Sequence, residues 1–101
     1  MDELAHLQKW YFSQCNGDWE NGAGVRICTL DNPGWSIDID LSDTDLEGKS
    51  FNITEKGVGK ESVEGDRDWY SCKVDNNIFI GRCGPLNLAT VLRIFLDWAN
   101  G

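Results

Sequence analysis

Histidine is nearly missing from this chain: His6 is the sole example among 101 residues. A Ser-His or Cys-His nucleophilic pair would have to use it, and nothing nearby in sequence reads as the acid that would orient its ring. The cysteines Cys15, Cys28, Cys72 and Cys83 form no CxxC, and the closest two are Cys72 and Cys83. Zinc sites usually include a close ligand pair, and a chain of this size builds a core without staples, so reduced thiols are expected. No apolar run approaches the ~18–20 residues that span a bilayer, and the opening MDELAHLQKWYF begins with acids where a signal peptide has basic and then apolar residues. The expectation is a cytoplasmic protein with no membrane contact.

Positive charge is also scarce. Nine Lys and Arg face seventeen Asp and Glu, a formal charge of −8, which excludes the basic footprint that nucleic-acid or anionic-membrane binding needs. The glycines of Lys56-Gly57-Val58-Gly59-Lys60 lack the spacing and the Ser/Thr of a P-loop. A basic protein partner suits such a chain, although moderate acidity also simply keeps a small protein soluble.

What is present is a packed domain. Hydrophobic content of 41% with five Trp and four Phe supplies enough apolar area to offset chain entropy, and the length allows one domain, residues 1–101. Asp2 can cap a helix running to about Cys15, on which Leu4, Leu7, Trp10, Tyr11, Phe12 and Cys15 fill an arc of roughly 200°. Asn16-Gly17 then closes it. Gly24 to Leu30 and Trp35 to Leu41 read as a hairpin around Asp31-Asn32-Pro33-Gly34, with Trp35, Ile37, Ile39 and Leu41 on one face and Ser36, Asp38 and Asp40 on the other.

A third strand is expected over Phe51 to Thr54, a mobile loop over Glu55 to Asp68, and a second hairpin, Trp69 to Asp75 with Ile78 to Cys83, around Asn76-Asn77. After Gly84-Pro85, Asn87 caps a last helix with Leu88, Val91, Leu92, Phe95, Leu96 and Ala99 at helical spacing. The fold class is therefore α+β: an antiparallel meander of about five strands, two hairpins and a middle strand, with the N- and C-terminal helices packed on one face. The other face is left for solvent or a partner.

Between Arg26 and Lys49 no basic residue occurs, yet Asp38, Asp40, Asp43, Asp45 and Glu47 fall there. Like charges so close raise each other's proton affinity, and a partner rich in Lys or Arg relieves that repulsion. These five are candidate partner-binding residues; a solvated strand face with an acidic turn fits the same pattern. Calcium is a further alternative, but DIDLSDTDLE lacks the Gly and final Glu of an EF-hand loop. Asp18, Trp19 and Glu20 join the candidates. Trp19 is either an interface anchor or a plug at the end of the core, and its flanking acids either cap backbone amides or face the partner. No cofactor is implied, and paired carboxylates in so short a chain have little cleft around them, so no enzyme is expected.

Trp10-Tyr11, the string Gln14-Cys15-Asn16-Gly17-Asp18-Trp19-Glu20, the string Thr29-Leu30-Asp31-Asn32-Pro33-Gly34-Trp35, Asp68-Trp69, Gly84-Pro85-Leu86-Asn87-Leu88 and Phe95-Leu96-Asp97-Trp98-Ala99 together resemble the immunity protein 53 family of bacterial polymorphic toxin systems. The resemblance spans most of the chain. It implies a cytoplasmic antitoxin, encoded beside a toxin gene, that binds the toxin domain. If that toxin is a nuclease, its active surface is basic and an acidic inhibitor competes with nucleic acid for it.

Overall fold

Asp2 starts the first helix: its Oδ1 accepts the Ala5 amide at 3.1 Å, satisfying one of the N–H groups that a helix start leaves without an acceptor. The helix, α1, covers Glu3–Gln14, and Gly17 follows in the left-handed region at φ 93°, where a residue without Cβ is unstrained. The computed structural model describes residues 2–57 and 68–101, so the loop expected over Glu55 to Asp68 lies mainly outside the described residues.

The strands are β1 (Val25–Leu30), β2 (Gly34–Asp40), β3 (Thr54–Lys56), β4 (Tyr70–Asp75) and β5 (Ile78–Cys83), and the chain ends in helix α2 (Leu88–Asn100). Both hairpins form. Asn76 and Asn77 adopt φ 51° and 60°, the left-handed pair that a two-residue turn needs to match strand twist.

The strand order is β1-β2-β5-β4-β3, antiparallel throughout. This corrects the expected meander: β2 pairs with β5 and not with the middle strand. The pairing sets Ile37 beside Gly81 and Ile39 beside Phe79, joining the most apolar strips of the two hairpins at the centre of the sheet. Residues 41–53 then cross to the far edge, burying Leu41 and Leu46 on the way. Phe51, expected in a strand, turns into the core instead, edge-on to Phe79 at 5.6 Å and Trp98 at 5.2 Å; the third strand therefore begins at Thr54.

Val91, Leu92, Phe95 and Leu96 bury one face of α2 against the sheet. Gly81 makes that approach feasible, since a Cβ there would lie 2.6 Å from Val91 Cγ1. Asn87 occupies the N-cap position, but its side chain caps nothing; its amide donates to Asp68 Oδ1 and the Trp69 carbonyl, tying α2 to the start of β4.

The arc read on α1 is too wide. Only Leu7 and Trp10 are buried, while Phe12 is 80% exposed and Leu4 55%. The helix rests chiefly on α2 and on the Trp19 ring, so a single strip of it is covered. Cys72 and Cys83 are interior, and burial, reinforced by neighbouring Cys83, pushes the Cys72 thiol up to about 12.

Candidate partner-binding surface

Because both helices pack on one side, the opposite side of the sheet is bare among the described residues. Alternation along the strands sends Arg26, Asp38, Asp40, Ile78, Ile80, Arg82, Lys73 and Asp75 to it. Register lines them up: Arg26 is opposite Asp38, Asp38 opposite Ile80 and Ile80 opposite Lys73, while Asp40 is opposite Ile78 and Ile78 opposite Asp75. The result is a depression of about 360 Å³ with Ile78 and Ile80 as its floor and Ala23, Arg26, Asp38, Asp40 and Arg82 around it.

Asp38 does not add to a free negative field here. Arg82 Nη1 donates to its Oδ1 at 2.9 Å, and Arg26 faces it from the neighbouring strand. This part of the sheet is close to neutral: apolar in the middle and zwitterionic around it.

The negative charge gathers instead at one end of the sheet, where three connections meet. Trp19 Nε1 donates to the Asp40 carbonyl at 2.9 Å, the Asp45 amide to Gln14 Oε1 at 3.4 Å, and the Leu41 amide to the Asn77 carbonyl at 2.8 Å. These bonds bring the turn after α1, the turn after β2 and the β4–β5 turn to a common end. Asp18, Asp43, Asp45, Glu47 and Asp75 are exposed there, and none takes part in an ion pair among the described residues. Asp40 completes the group from the end of β2, its Oδ1 accepting the Ser42 amide at 3.0 Å. Lys49, close in sequence, is occupied elsewhere: its Nζ donates to the carbonyls of Trp98 and Gly101 at the C-terminus of α2, where a cation answers the unpaired carbonyls of a helix end.

Trp19, one of the expected contact residues, is 5% exposed, stacked edge-on to Trp10 at 5.6 Å. It plugs the core and offers no ring to a partner in this arrangement. Glu20 is likewise engaged with its own loop: Oε1 accepts the Asn16 amide at 2.9 Å and Oε2 the Gly17 amide at 2.7 Å. Its own backbone N–H and those amides hold its carboxyl below the usual range. Asn16 Oδ1 accepts from the amides of Asp18 and Trp19. The string from Asn16 to Glu20 is thus a self-bonded loop whose product is a fixed, outward Asp18.

His6 is exposed on α1, its Nδ1 2.8 Å from the Asp2 carbonyl, and no group of three His, Cys, Asp or Glu side chains among the described residues is placed to hold a metal ion. Among the described residues no helix is long and apolar enough to cross a membrane.

Asp75, Ile78, Ile80 and Arg82 were missed in the sequence reading of the site. The signal was available in β5, where Phe79, Gly81 and Cys83 claim one parity and leave two isoleucines on the other. Sequence alone does not separate the two faces here, since a strand apolar on both reads as buried on both. What remains after these corrections is a candidate surface in two parts, an acidic end and an apolar, zwitterionic sheet face beside it. Comparison with the curated proteins and with the solved structures finds no match. The family model described as immunity protein 53 matches residues 4–100, which is nearly the whole of the chain, and the protein therefore belongs to the immunity protein 53 family.

Proposed function

We propose that this protein is an antitoxin of the cytoplasm, binding the toxin domain encoded beside it and neutralising it by occlusion in a stoichiometric complex, with no catalytic turnover. Family membership supports the class of function. The observation that carries the mechanism is the convergence of Asp18, Asp40, Asp43, Asp45, Glu47 and Asp75 on one end of the sheet, beside the bare face.

Held by a rigid scaffold, six like charges lose little entropy on meeting a basic surface and gain relief of their mutual repulsion. The field steers encounter, while the apolar floor of Ile78 and Ile80 supplies desolvated contact. Within this scheme Asp38 acts by fixing Arg82 at the edge of the depression, and Trp19 and Glu20 act by holding Asp18 outward. A basic active surface of the toxin, as in a nuclease, is the partner this charge fits.

The test is titration of the neighbouring toxin domain, in an assay of its own activity, with purified protein. Complete inhibition at a molar ratio of one, with a stable complex on gel filtration, is expected. Inhibition at catalytic amounts, with the toxin left chemically altered, would overturn the occlusion reading.

A further inference from the structure

We infer that the outer edge of β1 is a self-association site, at which a second copy of this chain adds its own β1 antiparallel and continues the sheet across a two-fold axis at Ile27. β1 ends the sheet, and its pairing with β2 fixes which of its backbone groups are free. The Asp40 amide donates to the Gly24 carbonyl at 2.9 Å, and Gly24 and Asp40 continue the register Val25↔Ile39. Hydrogen-bonded pairs alternate along an antiparallel ladder. Arg26, Cys28 and Leu30 therefore spend their N–H and C=O on β2, and Val25, Ile27 and Thr29 direct theirs outward.

Little protects this edge. Soluble proteins blunt exposed edges with proline, bulges, several charges or very short strands. β1 is six residues long with a register free of bulges, carries no proline and has one charged side chain, Arg26. The opposite edge is guarded: β3 is three residues long, two of them Glu55 and Lys56.

The sequence of β1 favours its own copy as occupant. A two-fold at Ile27 pairs Ile27 with Ile27 and Val25 with Thr29 on the helix side of the sheet, and Arg26 with Cys28 on the bare side. No like charges stand directly opposite, about six hydrogen bonds form, and Ile27, left 36% exposed in the single chain, becomes covered. The antiparallel arrangement also resolves the charge problem. The acidic end adjoins Gly24, so the acidic ends of the two copies lie at opposite extremes of the ten-stranded sheet, and the bare face stays open for another protein.

A contact of one strand pair is small and should be weak, and in a chain of net charge −8 it should tighten as salt screens repulsion. Sedimentation and amide exchange by NMR, on the protein alone from about 10 μM to about 1 mM, test it. The expected result is a monomer–dimer equilibrium, favoured by salt, in which the amides of Val25, Ile27 and Thr29 gain protection with concentration while those of Arg26 and Cys28 stay protected throughout. Thr29→Pro removes an outward N–H and none used by β2, and should raise the dimer Kd by about tenfold or more. Ile27→Lys sets two charges face to face at the axis and should do the same if the proline variant fails to fold. A monomer across the whole range would overturn the inference, and so would a dimer whose β1 amides exchange freely and which ignores Ile27→Lys.

Discussion

Replacing Asp43, Asp45 and Glu47 together by lysine should slow association with the toxin domain by about 10- to 100-fold at low salt and remove most of its salt dependence. These three are exposed and free of ion pairs among the described residues, so their replacement disturbs no contact on which the fold rests. In the proposed mechanism their contribution is to the encounter: each adds to a field extending about 8–10 Å into physiological buffer, and reversal turns attraction into repulsion at the same spot. Stopped-flow association over a salt series reads the effect, with circular dichroism confirming an unchanged fold. Reversing Asp38 instead should have a different signature. It leaves the Arg82 guanidinium without its partner at 2.9 Å, so it should alter dissociation and local packing more than the encounter rate. Equal association rates for the triple variant and the unmodified protein would remove the acidic end from the mechanism.

Phe95→Ala is expected to destabilise the protein by about 3–5 kcal/mol. Phe95 is the point at which the layers meet: its ring lies 4.9 Å from Trp10 of α1 and 5.0 Å from Phe79 of β5, with Trp98 at 6.1 Å. Truncation leaves a cavity bounded by rings held from three elements, so the site has little freedom to collapse. Such a loss is a large part of the ~5–15 kcal/mol that keeps a domain folded. Urea denaturation with an unchanged m-value checks it; a loss below about 1 kcal/mol would mean that α2 is not seated as described.

Much of the architecture was legible because local signals were redundant. Asp2 and Gly17 bracket α1, Asn76-Asn77 can hardly do other than turn, and the spacing of Leu88, Val91, Leu92, Phe95 and Leu96 leaves one face for α2. Strand order was not legible. β2 and the middle strand are neighbours in sequence, and only the packing of Ile37 and Ile39 against Gly81 and Phe79 sends β2 to β5 instead. The third strand slipped by three residues for a related reason: Phe51 has the composition of a strand residue, but its ring is needed between Phe79 and Trp98.

Of the candidate site, the charge was legible and its arrangement was not. Charge counting found the acidic interval between Arg26 and Lys49, and the described structure gathers Asp40, Asp43, Asp45 and Glu47 at one end. A linear reading has no means of seeing that Arg82, 44 residues away, pairs with Asp38, or that the second hairpin brings Asp75 to the same end of the sheet as Asp40, with Ile78 between them. The strings that made the chain recognisable turn out to be structural. Asn16 and Glu20 bond their own loop, Trp35 Nε1 donates to the Pro85 carbonyl at 3.1 Å, and Gly34 passes so close to the Cys83 carbonyl that a side chain would collide with it.

The most direct measurement is hydrogen exchange of the protein with and without its toxin domain, read peptide by peptide. Protection confined to residues 16–20, 40–48 and 75–82 is the predicted footprint. Protection instead over α2 and the exposed side of α1, with the acidic end exchanging as in the free protein, would contradict the placement of the partner at that end of the sheet.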